Sequence, residues 1–377
     1  MRYKRLCRES TPADIGGIVM KCKYPITCTL PWKALFMDMR YGRLSALPCC
    51  ATWINRSYGL VEKGVSLIEL WNGPGAVEIR RLISEGKQNE LCTPDCPWLF
   101  SGRFAENTAE IVPGPPEFEA NQRLNNKEIS ERQTVLKSLP MAIRIIPTLQ
   151  CNIRCRMCFQ DHKADIQLPE TFMVDMSKLG VYIYDYHLQG GEVLISDKFH
   201  QWANPNWFSE NPQMLLSMTT NATRIPKQTW ETLQCLRINY ITVSINAAMH
   251  ETYRYITGSD LFSDVVRNVV ALRELGQAHT LRKFKVFLSF VIMRCNFHEL
   301  PAFVNLANQL GVPLRLLLIE GDREGESIYT NPPILKDILI ILDEAQHLAS
   351  EESHPELDRV RESIIASLTS QTFRMSL

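Results

Sequence analysis

The chain has 377 residues, of which 45% are hydrophobic, and its 41 basic and 41 acidic side chains give a formal net charge of zero. This balance provides no basic field for nucleic acid, and the length allows one large domain and a smaller one, each with its own core. The N-terminus lacks the apolar stretch of a secretory signal, and the most apolar late segment, residues 334–349, carries four charged side chains that exclude a membrane span. We therefore expect a cytoplasmic protein.

Twelve cysteines are many for such a chain. Without an export signal a disulfide framework is not expected, and metal ligation or redox chemistry is the better interpretation. Most of the cysteines fall into an early group and a later triplet, which are Cys28, Cys49, Cys50, Cys92 and Cys96, and then Cys151, Cys155 and Cys158. The remaining ones are interpreted as small buried apolar side chains.

Two short helices are predicted among the early cysteines. Ser66 and Glu69 form a capping box at the start of one, and residues 78–85 form the other, which ends at Gly86. The cysteines lie on the loops and the hairpin around these helices. Four of them could enclose a complete iron–sulfur cluster, and the selected set is Cys28, Cys49, Cys92 and Cys96. A zinc ribbon remains open as an alternative, because four thiolates also suit zinc.

The segment 102–118 is rich in glycine, proline and polar residues. Its three prolines cannot lie inside a helix or a central strand, so a domain boundary is predicted there. The predicted division is a cysteine-rich domain (1–101), a linker with a helix at about 119–138 (102–138), a main domain (139–331) and C-terminal helices packed on it (332–377).

Six apolar runs alternate with helical patterns in the main domain, at residues 141–147, 181–188, 214–220, 240–246, 285–293 and 313–320. Three of the intervening helices are predicted to end at Gly180, Gly276 and Gly311, where glycine tolerates a left-handed backbone. Strands that alternate with helices indicate a parallel sheet with right-handed crossovers. Six units are fewer than the eight of a closed barrel, so we expect an α/β fold of the partial (β/α)6 TIM-like type.

Polar residues follow every predicted strand, at the edge where such folds place their active sites. In chain order these residues are the cysteine triplet, Gln189 to Glu192, Thr220 to Ala222, Ser244 to Asn246, Arg294 to Asn296, and Glu320 to Asp322. Three thiolates can hold three corners of a cubane iron–sulfur cluster and leave the fourth iron open to a small molecule. A structural zinc site needs four ligands, so zinc would require a distant fourth one.

Residues 141–330 resemble the radical S-adenosylmethionine (radical SAM) superfamily. The resemblance rests on CNIRCRMC at 151–158, GGE at 190–192, TNA at 220–222 and SIN at 244–246. It implies a [4Fe-4S] cluster with three cysteine ligands, whose open iron takes the amino and carboxylate groups of SAM. One-electron reduction would then give a 5′-deoxyadenosyl radical that abstracts hydrogen from a substrate. A reductant such as flavodoxin or ferredoxin and a small-molecule or peptide substrate are the implied partners.

The same resemblance implies the contacts of SAM. Gly190, Gly191 and Glu192 would meet the methionine amino group, with the carboxylate pairing with the ammonium. Three further polar residues would lie near the sulfonium, the carboxylate or the ribose, namely Asn221, Ser244 and Asn246. Met157 stands where an aromatic residue often contacts the adenine, and its polarizable side chain can pack on a flat ring.

The early cysteines resemble the SPASM/twitch accessory domains of radical SAM enzymes. The matching residues are Cys28, Pro31-Trp32, Gly42, Cys49-Cys50, Leu70-Trp71-Asn72, Arg80 or Arg81, Gly86, and Cys92 with Cys96. The resemblance implies one auxiliary [4Fe-4S] cluster. Here the segment precedes the core where such domains usually follow it, and the spacing leaves the choice between Cys49 and Cys50 open.

A single auxiliary cluster favours removal of a second electron from a substrate radical, hence a dehydrogenation in peptide, carbohydrate or natural-product modification. An epimerase, which would need a hydrogen donor such as Cys295, and a peptide-crosslinking enzyme are the alternatives. Glu320, Asp322 and Arg323 are candidate substrate contacts after the sixth strand. A non-catalytic iron–sulfur or zinc protein is the hypothesis from a different class, and SAM cleavage discriminates the two.

Overall fold

The computed structural model describes residues 26, 28–40, 42–93, 96, 110–160, 162, 166 and 168–375. Residues 1–25 of the predicted cysteine-rich domain and residues 97–109, which include the start of the predicted linker, lie outside the described residues. The predicted division into domains therefore stays a prediction.

The described strands form one sheet, in the order β3-β2-β1-β4-β5-β6-β7-β8-β9. They are β1 (Ala34–Arg40), β2 (Arg43–Leu47), β3 (Gly59–Leu60), β4 (Ala142–Ile145), β5 (Asp185–Leu188), β6 (Leu215–Thr220), β7 (Ile238–Ser244), β8 (Lys285–Ile292) and β9 (Leu314–Leu318). From β4 to β9 each strand pairs in parallel with the next one along the chain. The prediction of a six-unit partial barrel is confirmed.

Helices connect the strands and cover the outside of the sheet. They are α1 (Leu30–Lys33), α2 (Leu67–Trp71), α3 (Pro74–Ser84), α4 (Pro116–Glu131), α5 (Thr171–Leu179), α6 (Phe199–Trp202), α7 (Pro205–Glu210), α8 (Lys227–Leu233), α9 (His250–Thr257), α10 (Phe262–Ala278), α11 (Leu300–Leu310), α12 (Pro332–Leu348) and α13 (His354–Met375). The predicted capping box is present, since the Ser66 hydroxyl accepts from the amide of Ile68 and the Glu69 carboxylate accepts from the amide of Ser66. Within the described ranges, none of these helices has the length and apolar content that a bilayer crossing requires.

The three predicted glycine stops turn out to differ. Gly311 ends α11 with a φ of 64°, in the left-handed region, as expected. Gly180 ends α5 with a right-handed φ of −49° and starts a short 3₁₀ turn. The prediction that a helix ends at Gly276 is wrong, because α10 continues to Ala278. A Cβ atom at Gly276 would lie 2.5 Å from the carbonyl oxygen of Phe284, so this glycine is required by close packing and not by a turn.

The early cysteine-rich segment extends the barrel sheet. β1 pairs in parallel with β4, from Ala34 opposite Ala142 to Met37 opposite Ile145, and β2 returns antiparallel to β1. A single continuous apolar core contains side chains of this segment and of the barrel. The cysteine-rich segment therefore shares both its sheet and its core with the main domain.

Buried hydrogen bonds attach α2 and α3 to the chain that enters β4. Trp71 donates from Nε1 to the carbonyl of Ser138 at 2.8 Å. Arg80 is fully buried, with its guanidinium donating to the carbonyls of Pro31, Trp71 and Thr134 and stacking on Trp71 at 4.6 Å. The neighbouring Arg81 is exposed and pairs with glutamates of its own helix. Of the two arginines in the matched pattern, Arg80 is therefore the one with a structural role.

Candidate active site at the carboxyl ends of the strands

Two consecutive glycines follow β5 because the loop after β4 passes directly against them. A Cβ atom at Gly190 would lie 2.4 Å from the carbonyl oxygen of Thr148, and one at Gly191 would lie 2.1 Å from that of Gln150. Gly190 also has a φ of 139°, which residues with a side chain rarely adopt. The amide of Gly191 donates to the carbonyl of Thr148 at 2.8 Å. The glycine pair therefore seats the loop that continues into the cysteine triplet.

The cysteine triplet lies half-buried on this loop as free thiols. The amide of Cys158 donates to the carbonyl of Cys155 at 3.0 Å, which closes a tight turn. Burial, with a smaller contribution from the neighbouring Cys158 and Cys151, raises the pKa of Cys155 to about 12. Burial also raises the pKa of Cys151 and of Cys158. Since thiols of this kind ionise only when a cation stabilises the thiolate, the set suits a metal centre.

The triplet loop is fixed to the end of α9. The amides of Arg154 and Arg156 donate to the carbonyls of Thr257 and Ile256 at 3.0 and 2.9 Å. The Arg156 guanidinium also lies 4.4 Å from the centre of the Tyr255 ring. These contacts hold the cysteines in place without using any of their sulfur atoms.

A cavity of about 430 Å³ opens beside the triplet. Its lining includes two of the cysteines and three arginines, and consists of Arg154, Cys155, Arg156, Cys158, Gln160, His162, Arg323 and Glu324. Arg323, a predicted substrate contact, donates to the carbonyl of Cys158 at 3.3 Å and lies 5.8 Å from the centre of the Phe159 ring. The mouth next to the cysteines is therefore mostly cationic.

Asn221, which was predicted to contact SAM, lies in direct contact with the loop of the cysteine triplet. Its Nδ2 donates to Cys151 Sγ at 3.5 Å and to Asn152 Oδ1 at 3.0 Å, while its Oδ1 accepts from the amide and hydroxyl of Thr223. An N–H donor to the sulfur favours the thiolate form of Cys151. The sequence carried no signal for this bond, because the two residues follow different strands.

Glu192 is only 1% exposed and its carboxylate is bonded inside the protein. It accepts from the amide of Leu194 at 3.0 Å, the hydroxyl of Thr220 at 2.7 Å and the amide of Asn221 at 2.5 Å. Burial raises its pKa, although these hydrogen bonds oppose the shift. The carboxylate therefore ties the loop after β5 to the loop after β6, and its predicted contact with SAM stays a prediction.

The other predicted SAM contacts lie at the same edge. Ser244 is half-buried at the end of β7, and Met157 packs partly against the main core. Asn246 has a left-handed φ of 60°, and its Oδ1 accepts from the amide of Val291 at 2.8 Å. Asn246 thus braces β8, and the roles of all three residues toward SAM stay predictions.

Cys295 lies beyond β8, beside a buried carboxylate that the sequence analysis missed. Its amide donates to Glu326 Oε2 at 3.0 Å, and burial together with Glu326 raises the pKa of Cys295 to about 12. Glu326 also accepts from the hydroxyl of Tyr255 at 3.1 Å and pairs with Arg156. It therefore connects the loop after β9 to the triplet loop. A lone glutamate in a polar loop gives no sequence signal for such a role.

Glu320 and Asp322 hold the loop after β9 in place. Glu320 Oε1 accepts from Trp53 Nε1 at 3.0 Å, and Asp322 Oδ1 accepts from the amide of Ser327 at 3.1 Å. Trp53 belongs to the cysteine-rich segment, whose strand β1 lies at the opposite edge of the parallel strands. The segment therefore reaches across the open barrel from the β4 side to the β9 side.

The selected early cysteines are neighbours in the structure. Burial raises the pKa of Cys28 to about 11, with Cys96 adding to the shift, and that of Cys92 to about 12, with Cys96 and Cys28 adding. The pKa of Cys49 is raised by burial and then by Cys28, Cys92 and Cys96. Cys50 differs, because its Sγ contacts the hydroxyl of Thr52 at 3.2 Å. After burial, the groups that raise its pKa are Asp38 and Glu320.

This arrangement groups Cys49, and not Cys50, with the other three early cysteines. Among the residues that the structure describes, no three His, Cys, Asp or Glu side chains converge closely enough to ligate one metal ion. Cysteines around a cubane stand farther apart than those around a single ion, because each binds a different iron.

Comparison with curated proteins finds relatives that match about half of the chain. The chain is 24% identical over 206 residues to the GTP 3′,8-cyclase of Clostridium acetobutylicum, a match that covers 52% of this chain and 62% of the relative. It is 24% identical over 203 residues to that of Vibrio parahaemolyticus, covering 50% and 57%. The match thus spans less than two thirds of each relative. No family model matches the chain.

Comparison with solved structures finds, among others, Streptococcus suis SuiB bound to S-adenosylmethionine. That structure has a TM-score of 0.48 and 15% identity, and covers 74% of this chain and 62% of SuiB. The FeFe-hydrogenase maturase HydG from Carboxydothermus hydrogenoformans has a TM-score of 0.38 and 12% identity, covering 76% and 67%. The chain is thus similar in sequence to GTP 3′,8-cyclases, which are radical SAM proteins, and its cysteine triplet follows the first of the six parallel strands β4 to β9.

Proposed function

We propose that the chain is a radical SAM enzyme in which Cys151, Cys155 and Cys158 hold a [4Fe-4S] cluster with one iron open to SAM. Bound together, the cluster and SAM would supply a 5′-deoxyadenosyl radical that abstracts a hydrogen atom from the substrate. The observation that carries this proposal is the position of three neighbouring half-buried thiols on a loop seated against Gly190 and Gly191.

The surroundings of the triplet fit an iron–sulfur cluster bound by the three cysteines. Asn221 already donates an N–H to Cys151 Sγ at 3.5 Å. Tyr253 is completely buried, and its hydroxyl has no hydrogen-bond partner within normal geometry among the described residues. Its pKa is raised by burial and then by Cys155, while Thr257 opposes the shift. An orphaned buried donor costs about 1–3 kcal/mol, so a sulfur-rich acceptor at the triplet would relieve that cost.

Within the proposed enzyme the residues at the edge have separate tasks. The amides and carbonyls around Gly190 and Gly191 would meet the amino acid part of SAM, at the place where the glycine pair seats the loop of the cysteine triplet. Glu192 would keep the loops after β5 and β6 in register and attract the ammonium through its negative charge. Arg154 and Arg323 would keep the mouth cationic, while Arg156 is paired with Glu324 and Glu326. A cationic mouth favours docking of an acidic one-electron donor such as flavodoxin or ferredoxin.

The four early cysteines are proposed to hold a fully ligated auxiliary [4Fe-4S] cluster, through Cys28, Cys49, Cys92 and Cys96. Four thiolates leave no iron open to SAM, so the task of this cluster would be to accept an electron from a substrate radical or to stabilise the segment. The first task makes the reaction a dehydrogenation. An epimerisation would instead use a thiol as hydrogen donor, and Cys295, at the same edge and beside Glu326, supports that second candidate.

The decisive experiment is SAM cleavage by anaerobically reconstituted protein with dithionite as the reductant. Wild type is expected to form 5′-deoxyadenosine, and the variant with Cys151→Ala, Cys155→Ala and Cys158→Ala is expected to form none above background. Cys235→Ala is the matched control and should leave the rate within twofold. Cys235, which was expected to be buried, is exposed and precedes β7, whereas the triplet follows the end of a strand. Cleavage by the triple variant at the wild-type rate would rule out the proposal.

A further inference from the structure

The strands present a polar surface on the side that faces away from the helices. On β4, Ile143 and Ile145 belong to the apolar core, so the alternating Arg144 points to the opposite face. On β5, Tyr186 packs against Trp207 at 6.3 Å, so His187 points away from the helices. These inward side chains line the interior of the open barrel, below the edge that carries the cysteine triplet.

Successive strands bring these inward residues side by side. Arg144 stands opposite His187, and across β6 the register continues from Ser217 to Tyr240. The rings of His187 and Tyr240 lie 6.2 Å apart. Arg315 closes the set from β9, with its guanidinium 4.7 Å from the centre of the Tyr240 ring.

Arg315 is held in a defined orientation. Its guanidinium also lies 4.7 Å from the centre of the Phe287 ring, and its Nη1 donates to the hydroxyl of Thr242 at 3.2 Å. Arg144 lies 4.7 Å from the centre of the Phe36 ring, and its buried Nε has no partner among the described residues. Two aromatic faces and one hydroxyl thus fix Arg315 while leaving part of its donor fork available.

The positive charge of Arg315 has no carboxylate partner in the barrel interior among the described residues. Among the described residues, neither Arg315 nor Arg144 has a carboxylate oxygen within 4.0 Å. The inward carboxylates Asp38 and Asp185 lie on β1 and β5, the two strands that pair with β4. Burial raises the pKa of each, and Arg144 opposes that shift. A half-buried guanidinium without an anion has lost hydration and gained no ion pair in return.

His187 adds a neutral, unsatisfied group to the same interior. Burial, reinforced by Arg144 and Arg315, keeps its pKa well below the usual value, so the ring is uncharged near neutral pH. Its Nε2 lies 3.5 Å from the hydroxyl of Thr219, while Nδ1 is buried and has no partner among the described residues. His187 itself is only 5% exposed. An uncharged ring with a free nitrogen can donate one hydrogen bond to an anion without bringing a second charge.

We propose that the barrel interior binds an anionic group of the substrate, a carboxylate or a phosphate, with Arg315 as its principal ligand and with Arg144 and His187 facing the same space. The inference rests on the proposed function only in that the rest of the substrate would then extend toward the cysteine triplet. A planar guanidinium fork matches either anion with two parallel hydrogen bonds.

The test measures anion binding to the anaerobically reconstituted full-length protein by calorimetry at low ionic strength. Inorganic pyrophosphate is the probe for phosphate, and succinate is the probe for carboxylate. At least one of them is expected to bind, and Arg315→Gln is expected to weaken that binding by about tenfold to a hundredfold, since a hydrogen bond to a charged group is lost. The probe that binds identifies the chemistry of the anion.

Arg123→Gln is the matched control, because Arg123 is an exposed arginine paired on the surface of α4. It should leave binding within twofold. Arg315→Lys keeps the charge and should retain more binding than Arg315→Gln, which separates anion recognition from a folding defect. Absence of binding by both probes, or equal binding by wild type and Arg315→Gln, would overturn the inference. SAM cleavage by the same wild-type preparation is measured separately, so a failure of the proposed function can be told apart from a failure of anion binding.

Discussion

The two cysteine sets of this chain differ in number, environment and attachment. The later triplet lies on one loop after β4, beside a cavity lined by three arginines. The early set gathers four cysteines from three separate stretches of chain, on a segment that the buried Arg80 links through Thr134 to the chain that enters β4. Three ligands on one loop suit a centre with an open position, whereas four ligands from distant positions suit a closed centre that also links the chain. Under the proposed function, this contrast distinguishes a reactive cluster at the triplet from a supporting cluster at the early set.

The largest expected effect is on SAM cleavage, which should depend on the triplet and not on the early set. Cys155→Ala should lower 5′-deoxyadenosine formation by at least about a thousandfold, because an incomplete cluster cannot present an open iron. Cys96→Ala should still cleave SAM within about tenfold of wild type, since the early set leaves no iron open. Single-turnover assays with dithionite measure both rates. A rate for Cys96→Ala as low as that for Cys155→Ala would erase the distinction between the two sets.

The second expected effect is on metal content and distinguishes two adjacent residues. Cys49→Ala should lower the iron bound after reconstitution by about four atoms per chain, because Cys49 neighbours the other early cysteines. Cys50→Ala should leave the iron content unchanged, since Cys50 faces Asp38 and Glu320. Iron and zinc are counted in each purified protein. Equal iron loss in both variants would contradict the assignment, and one zinc alongside only the four irons of the triplet cluster would replace the auxiliary cluster by a zinc site.

The third expected effect is on stability and concerns the attachment of the early segment. Arg80→Ala should lower the free energy of unfolding by about 2–4 kcal/mol, because three buried carbonyls lose a charged donor and Trp71 loses its stacking partner. Arg81→Ala removes only exposed pairs and should cost less than about 1 kcal/mol. Urea unfolding of the two variants gives the difference. Similar midpoints for both would mean that the segment is not fastened through Arg80.

The smallest expected effect concerns the electronic environment of the triplet. Asn221→Ala removes the N–H donor from Cys151 Sγ and should lower the reduction potential of the bound cluster by up to about 40 mV, since a net hydrogen bond of about 1 kcal/mol corresponds to that shift in a one-electron couple. Redox titration followed by electron paramagnetic resonance measures the change. Thr232→Ala, on the surface of α8, is the control and should leave the potential unaltered. An unchanged potential in Asn221→Ala would mean that the bond does not act on the cluster.

The parts of this fold that sequence predicts are those with a short-range cause. Six apolar runs and their helices follow from periodicity, and the Ser66 capping box follows from two side chains three residues apart. The glycine pair was predicted from a resemblance, and the structure adds its steric reason in the carbonyls of Thr148 and Gln150.

The parts that sequence does not predict depend on distant contacts. Gly276 looked like a helix end, yet it is fixed by the backbone of Phe284, which no local pattern reveals. The parallel pairing of β1 with β4 joins strands that are far apart in the chain. The bond between Asn221 and Cys151, and the position of Glu326 beside Cys295, likewise arise only when separate loops meet at one edge of the sheet.

The position of β1 between β2 and β4 has a consequence for how the protein is made. During synthesis β1 and β2 emerge well before β4, so the edge of β1 that later pairs with β4 stays unpaired until that strand leaves the ribosome. Closing such a long loop is entropically costly and slows folding. Conversely, a fragment that begins at residue 110 would expose the bare edge of β4, and exposed strand edges promote association. The early segment therefore covers the edge of β4 and protects the barrel from association through that edge, whether or not the segment binds a metal.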